Sequence, residues 1–275
     1  MTSQDTGKFR ISKKEQFYTS ELVAKECVKK ILELIPNTKE YLFIEPSAGN
    51  GVFMKQLSGH NIIGIDLDPK HTSIIKGDYL EWTPTQVQKR IVFGNPPFGS
   101  QSCLAKAFIK HSCKFADYIA FILPKSFLKP SMYRAFDSNF HCIYTEELPK
   151  NCFEVNGEAY DVPCIFVIYE KREQKRTLDE KVEAVGFSYV KTQKESDITF
   201  RRVGGNAGKA YDSGGDAYSI QAHNFIKLDP TYVSKKKEII EKICSHKFPS
   251  NTVGPRSLSK SEANSVINLI LLSYV

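Results

Sequence analysis

The stretch Ile91-Val92-Phe93-Gly94-Asn95-Pro96-Pro97-Phe98-Gly99 sets a carboxamide, two prolines and an aromatic ring in succession behind a short apolar run. Neither proline has an N–H to donate and both hold φ fixed, so the turn is stiff and offers acceptors without competing backbone donors. The Asn95 amide oxygen and the Pro96 main-chain carbonyl can accept both hydrogens of one primary amine, and the Phe98 ring gives a planar base a face to lie on. Taken alone, a Pro-Pro pair is an ordinary turn over a buried aromatic; the residues upstream of this one give it a chemical context.

There, Phe43-Ile44-Glu45-Pro46-Ser47-Ala48-Gly49-Asn50-Gly51-Val52-Phe53 leads from another apolar run into a segment of helical character, 51–57. Gly49 and Gly51 lack a Cβ, so the backbone can turn tightly and admit a ligand to contact distance. A lone Gly-x-Gly is a weak signal; two acids strengthen it. Asp66, in Ile63-Gly64-Ile65-Asp66-Leu67-Asp68-Pro69, ends a run where its carboxylate can accept both bonds of a ribose diol. Asp78, in Lys76-Gly77-Asp78-Tyr79-Leu80, follows a third run and is placed to accept from an adenine amino group. Glu45 adds a carboxylate suited to a cationic or amine-bearing ligand, and the absence of a G-x-G-x-x-G run argues against a nicotinamide cofactor.

The elements that must hold these residues can be read from periodicity. Val23, Cys27, Ile31 and Leu34 recur at helical steps, with Ser20 as N-cap and Pro36 as stop. Short apolar runs follow at 41–44, 61–65, 73–75, 91–93, 118–123, 142–144 and 162–169, with helical segments at 51–57 and 103–114 among them. That alternation predicts an α/β domain with a mainly parallel sheet, whose ligands bind at the carboxyl ends of its strands. The charged run 170–181 reads as a linker. Beyond it lie a glycine-rich stretch, a Lys-rich helix near 234–244 and a last helix from Ser259. The predicted domains are therefore a catalytic 1–170 and a small basic 171–275.

A chain of 275 residues, 41% hydrophobic and 25% charged, can bury a core without disulfides. Its seven cysteines form no C-x-x-C pair, which predicts reduced core thiols, and neither they nor the six histidines have metal-ligand spacing, so no metal is expected. The longest apolar runs, 118–123 and 266–272, fall well short of the about 20 residues a bilayer requires, so a soluble intracellular protein without membrane association is expected. Of the net charge of +7, residues 171–275 contribute +6, which suits a polyanionic partner.

Taken in order, Glu-Pro-Ser-Ala-Gly-Asn-Gly, Ile-Asp-Leu-Asp-Pro, Gly-Asp-Tyr-Leu and Asn-Pro-Pro-Phe resemble the motifs of the class I N6-adenine methyltransferases that use S-adenosylmethionine (SAM). Glu15-Gln16-Phe17-Tyr18-Thr19-Ser20 is similar to the segment that closes over the methionine end of SAM in those enzymes. The motif order is that of the gamma group of DNA adenine methylases, and the resemblance spans about residues 15–170. It implies a Rossmann-like seven-stranded sheet with helices on both faces, plus a small C-terminal appendage. It further implies that Thr19, Glu45, Gly49 and Gly51 surround the methionine part of SAM, that Asp66 holds the ribose and Asp78 the adenine, that Tyr18, Ser47 and Asn95 are also among the cofactor-binding residues, and that Asn95, Pro96, Pro97 and Phe98 receive the target base. Phe153, in Leu148-Pro149-Lys150-Asn151-Cys152-Phe153, looks like the second aromatic of a base sandwich. Phe200-Arg201-Arg202-Val203-Gly204-Gly205-Asn206-Ala207-Gly208-Lys209 looks like a flexible phosphate-contact loop of compact phage and viral methylases, with Arg201, Arg202 and Lys209 meeting the target strand.

The expected reaction is thus methyl transfer from SAM to adenine N6 in nucleic acid, DNA ahead of RNA. Three other readings stand beside it: the same chemistry on RNA, methylation of a protein glutamine amide, and a silent nucleic-acid-binding subunit that has kept the fold.

Overall fold

Each apolar run closed by turn chemistry becomes a strand. The computed structural model describes residues 18–155, 158–177, 181–249 and 256–274, and the chain divides into two units, 1–178 and 179–275. The first holds β1 (Tyr18–Thr19), α1 (Glu21–Leu34), β2 (Leu42–Pro46), β3 (Asn61–Asp66), β4 (Ile74–Lys76), β5 (Arg90–Gly94), α2 (Cys103–Ser112), β6 (Tyr118–Pro124), α3 (Pro130–Tyr133), β7 (Phe140–Glu147), β8 (Phe153–Val155), β9 (Glu158–Tyr160) and β10 (Cys164–Lys171).

Seven of these strands form one sheet in the order β4-β3-β2-β5-β6-β10-β7. The strands from β4 to β6 are parallel; β10 runs against both its neighbours, which returns β7 to the common direction. The Rossmann-like, mainly parallel sheet expected from the sequence is the one that forms. All seven residues of β6 are buried, as a central parallel strand covered on both faces requires. On one face Leu42, Ile44, Val92, Ile119, Phe121, Leu123, Ile165 and Val167 pack with Ala105, Phe108 and Ile109 of α2. On the other, Phe43 and Phe93 meet edge-to-face, with His60 beside the first and Phe53 beside the second. α1 lies on this second face against the turn Met54–Leu57. Its Ser20 cap accepts the Val23 N–H at 3.4 Å, and its buried stripe is Val23, Ala24, Cys27, Val28 and Ile31.

Three expectations need correction. Residues 51–57 form no α-helix, only the single 3-10 turn Met54–Leu57: left-handed glycines at 51 (φ +73°) and 59 (φ +75°) bracket the segment, leaving too few residues to repay the cost of nucleation. The cysteines are not all core thiols, since Cys103 and Cys142 are exposed. The run after 170 is no free linker. β10 continues through Lys171, the Arg172 N–H reaches the Asn139 carbonyl at 2.8 Å, and the Arg176 guanidinium donates to the carbonyls of Tyr133, Phe136 and Phe140 at 2.6–2.9 Å. Half of the C-terminal charge excess therefore belongs to the first unit. Residues 179–275 carry 14 lysines and arginines against 11 acids, +3 rather than +6.

The second unit contains β11 (Phe187–Val190), β12 (Ile198–Arg201), β13 (Ala210–Asp212), β14 (His223–Leu228), α4 (Pro230–Val233), α5 (Lys236–Ser245) and α6 (Lys260–Leu272). Its sheet is antiparallel, in the order β11-β14-β12-β13. Phe187, Ile198, Phe200, Ile226 and Leu228 pack against Ile239 and Ile243 of α5 and Ala263, Ile267 and Leu271 of α6. Ser259 and Glu262 form a reciprocal cap for α6. The segment 200–209 is a fixed turn rather than a flexible loop: Gly204 and Gly208 hold φ of +99° and +98°, and a Cβ on Gly208 would stand 2.6 Å from the Phe248 ring.

Phe121 in the middle of the first sheet is fully buried, whereas Leu22 on α1 is 71% exposed. Phe121→Ala is expected to lower stability by about 3–5 kcal/mol, and Leu22→Ala to stay within about 0.5 kcal/mol of the parent, as read from urea unfolding of the full chain.

Candidate active site

The chain leaves β2 toward β3 and β4, then returns to the other side of β2 as β5. Ligands of open α/β sheets bind in the crevice at such a reversal, outside the carboxyl ends of the strands. The loop after β2 carries Ser47, Gly49 and Gly51; the loop after β5 carries Asn95 to Phe98. The pairing of Ile44 with Val92 brings these two exits side by side.

The first loop is held in an uncommon backbone shape, with left-handed φ at Ser47 (+57°), Gly49 (+53°) and Gly51 (+73°). Asp66 ties it down: its Oδ2 accepts the Gly49 N–H at 2.7 Å, while its Oδ1 accepts the Asp68 N–H at 2.8 Å. Each oxygen keeps a second lone pair for a ligand. Tyr18 closes over the loop, with its Cε1 3.2 Å from where a Cβ on Gly49 would stand. Sequence reasoning missed Gly64, where an added Cβ would meet the Met54 sulfur at 2.5 Å and the Ala48 Cβ at 3.0 Å; a side chain here would push the Met54 tip aside and crowd the loop at Ala48. Asp78 stands on the adjoining turn, which is joined to Asp66 by the Gly77 N–H bonding the Asp66 carbonyl at 2.9 Å. Its Oδ1 accepts the Leu80 N–H at 2.8 Å, and the next residue, Tyr79, anchors the turn through a buried 2.7 Å bond to Ser112.

Three buried oxygens here have no hydrogen-bond partner among the described residues: Thr19 Oγ1, Glu45 Oε2 and Asn95 Oδ1. Interior polar groups are nearly always paired, and an unpaired one costs about 1–3 kcal/mol. Glu45 is 2% exposed. Burial pushes its carboxyl well above the usual carboxylate range, against the pull of the Met54 backbone N–H, and the nearby charge of Asp66 pushes it further. It lies against the start of the Asn-Pro-Pro turn, since a Cβ on Gly94 (φ +122°) would stand 3.2 Å from Glu45 Cγ. Pro96 is buried, with Asn95, Pro97 and Phe98 half-buried around it.

Phe153 reaches the site through a second, three-stranded sheet, β1-β8-β9. Thr19 faces Phe153, Tyr18 faces Glu154, and the Ser20 N–H bonds the Cys152 carbonyl at 3.0 Å. The rings of Phe98 and Phe153 lie 6.4 Å apart at 78°. They do not stand as a parallel sandwich but edge-to-face, the arrangement bare aromatic pairs favour. Left-handed turns flank both rings, at Gly99, Gln101 and Ser102 after Phe98 and at Asn151 before Phe153. Contacts thus run in a circuit from Gly49 to Tyr18, Thr19, Phe153, Phe98, Asn95, Gly94 and Glu45, and back through the first loop. Every candidate cofactor and base residue of the first unit lies on this circuit or on the Asp66–Asp78 turns beside it.

In the second unit, Arg201 Nε donates to the Val203 carbonyl at 2.7 Å, and its Nη1 stands 3.3 Å from His223 Nε2. His223 Nδ1 is 2.9 Å from the Ser219 carbonyl, a bond that assigns the proton to Nδ1 and leaves Nε2 to accept. Burial, and then the Arg201 charge, hold this imidazole below its usual pKa. Arg202 donates to the Gln221 carbonyl at 2.7 Å and Lys209 to the Cys244 carbonyl at 3.1 Å. Among the described residues no three His, Cys, Asp or Glu gather where they could hold a metal ion, and no helix is long and apolar enough to cross a membrane.

No protein-family model matches the chain, and no curated protein matches its sequence. Among solved structures, the chain is similar to a Pyrococcus horikoshii protein named as a candidate RNA methyltransferase, with TM-score 0.46 and 19% identity over 60% of this chain and 91% of that one. It is also similar to the N-methyltransferase NodS of Bradyrhizobium japonicum, with TM-score 0.41 and 11% identity over 55% of this chain and 96% of that one.

Glu45 generates a test on the ligand-free protein. The folded chain holds the Glu45 proton more tightly than the unfolded chain, whose carboxyl titrates near 4.5. The stability this confers is complete below that value and is lost as pH rises through the higher folded pKa. Urea melts between about pH 5 and 8 should therefore show wild type losing stability relative to Glu45→Gln as pH increases; a difference that stays constant with pH excludes a buried, proton-retaining Glu45.

Proposed function

We propose that the first unit is a SAM-dependent methyltransferase acting on the N6 amine of adenine in nucleic acid, with DNA as the preferred polymer. The residues at the crevice fit the cofactor. The Gly49–Gly51 backbone under Tyr18 is a cradle that a Cβ would fill, and Thr19 and Glu45 bring buried oxygens without partners to the cationic methionine end, whose positive charge would favour loss of the Glu45 proton, with Ser47 beside them. Asp66 retains lone pairs for a ribose diol, and Asp78 an oxygen for the adenine amine. When bound, SAM supplies an electrophilic methyl carbon whose bonding electrons depart with sulfur.

The observation that carries the reading is Asn95 Oδ1, a buried amide oxygen with no donor, in a proline-stiffened turn next to an aromatic pair. An adenine amine is a weak nucleophile because its lone pair is delocalised into the ring. Acceptance of its two hydrogens by Asn95 Oδ1 and the Pro96 carbonyl favours a pyramidal nitrogen and stabilises the positive charge that grows there as it attacks. Solvent takes the proton released afterwards, so no strong base is required. Phe98, with Phe153 at its edge, offsets the few kcal/mol needed to take a base out of its stack. This apolar wall favours a flat base over a glutamine amide, and the three unpaired acceptors would be a standing cost to a subunit that bound no cofactor or amine. The donors that Arg201, Arg202 and Lys209 do not use on their own unit are available to nucleic-acid phosphates.

Incubating the full chain with methyl-labelled SAM and DNA or RNA oligonucleotides, then digesting the product, should yield N6-methyladenine. Asn95→Ala is expected to bind SAM as wild type does and to lose transfer by about 100-fold or more. An undiminished rate in that variant overturns the role given to the turn.

A further inference from the structure

β1 is only two residues long, yet it forms a wall common to both halves of the site. Successive side chains of a strand point to opposite faces. Tyr18 lies over Gly49, 3.2 Å from the place of its Cβ, while Thr19 is paired with Phe153 on the other face. The bond from the Ser20 N–H to the Cys152 carbonyl makes Ser20 and Cys152 a hydrogen-bonded pair, so Thr19 and Phe153 form the narrow pair of the ladder. Narrow pairs bring Cα atoms to about 4.5 Å and their side chains together. Both are buried, Thr19 at 6% and Phe153 at 1% exposure. Thr19 Oγ1 lacks a partner, and the Phe153 ring borders Phe98.

We propose that Thr19 is a positioning residue with two separable functions: its hydroxyl grips the cofactor, and its methyl group buttresses Phe153, so that loading the cofactor orders the wall of the base pocket. The inference rests on the methyltransferase reading and adds a coupling between the two sites to it. Binding of cofactor and of base then reinforce one another, because coupling between two sites is reciprocal. The coupling element is a short antiparallel ladder whose two strands are more than 130 residues apart in the chain.

Hydrogen exchange of residues 152–155 in the full chain, with and without S-adenosylhomocysteine, reads the coupling without any nucleic acid. Wild type should show slower exchange on addition of this ligand. Thr19→Ser keeps the hydroxyl and loses the methyl: ligand affinity should stay within about threefold, while the slowing disappears and the KM for an adenine-containing oligonucleotide rises. Thr19→Val keeps the methyl and loses the hydroxyl: affinity should fall about tenfold, and the slowing should return at saturating ligand. Equal behaviour of the two variants in both measurements, or no slowing in wild type, overturns the proposal. A wild type that shows the slowing yet methylates neither DNA nor RNA upholds the coupling and overturns the adenine assignment.

Discussion

An oxygen taken out of water without a hydrogen-bond partner is a standing cost, and among its described residues the first unit carries three of them, on β1, on β2 and just after β5. Such a cost survives only where the surrounding fold is stiff enough to keep the groups from turning toward water or toward one another. That stiffness comes from the sheet. Glu45 belongs to β2 and Asn95 directly follows β5, and both strands are buried along nearly their whole length. Backbone shape supplies the rest: left-handed residues at 47, 49 and 51 on one side of the crevice and at 94, 99, 101 and 102 on the other hold the loops where relaxed backbone would not.

The same rigidity gives the acids more than one task. Asp66 is proposed to hold the ribose, and its carboxylate also receives the Gly49 and Asp68 N–H groups. The glycine loop and the end of β3 are therefore one hydrogen-bonded assembly. Asp78 is anchored in a comparable way through Tyr79, whose ring packs with Trp82 and Phe108 and whose hydroxyl meets Ser112 on α2. The Asp66 and Asp78 turns are thus held from behind by the core.

Much of this was legible in the sequence because strands and their punctuation are local. The runs at 61–65, 91–93 and 118–123 became β3, β5 and β6 with shifts of a residue or so at their ends, and Ser20 caps α1 as its chemistry dictates. Properties that depend on distant partners were not legible. Gly64 reads as a neutral strand residue until Met54 is seen against it. Phe153 could be recognised as an aromatic near the site, but its edge-on stance toward Phe98 and its pairing with Thr19 are set by tertiary contact. Helical character at 51–57 gave way to the backbone demands of the flanking glycines. The charge of 171–176 looked like part of a basic tail because sequence order does not reveal that the Arg176 guanidinium is anchored to three carbonyls of the first unit.

The strand order bears also on how the sheet ends. A row of unpaired N–H and C=O groups at a sheet's border is a template on which another chain can grow. Here one border is β4, only three residues long. The other is β7, which ends in the exposed Glu146 and Glu147, with Lys125 bound to Glu147 at 2.6 Å. Brevity on one flank and charge on the other discourage edge-to-edge association, so a sheet of seven strands with a strongly apolar interior is kept from recruiting an eighth from a neighbouring molecule.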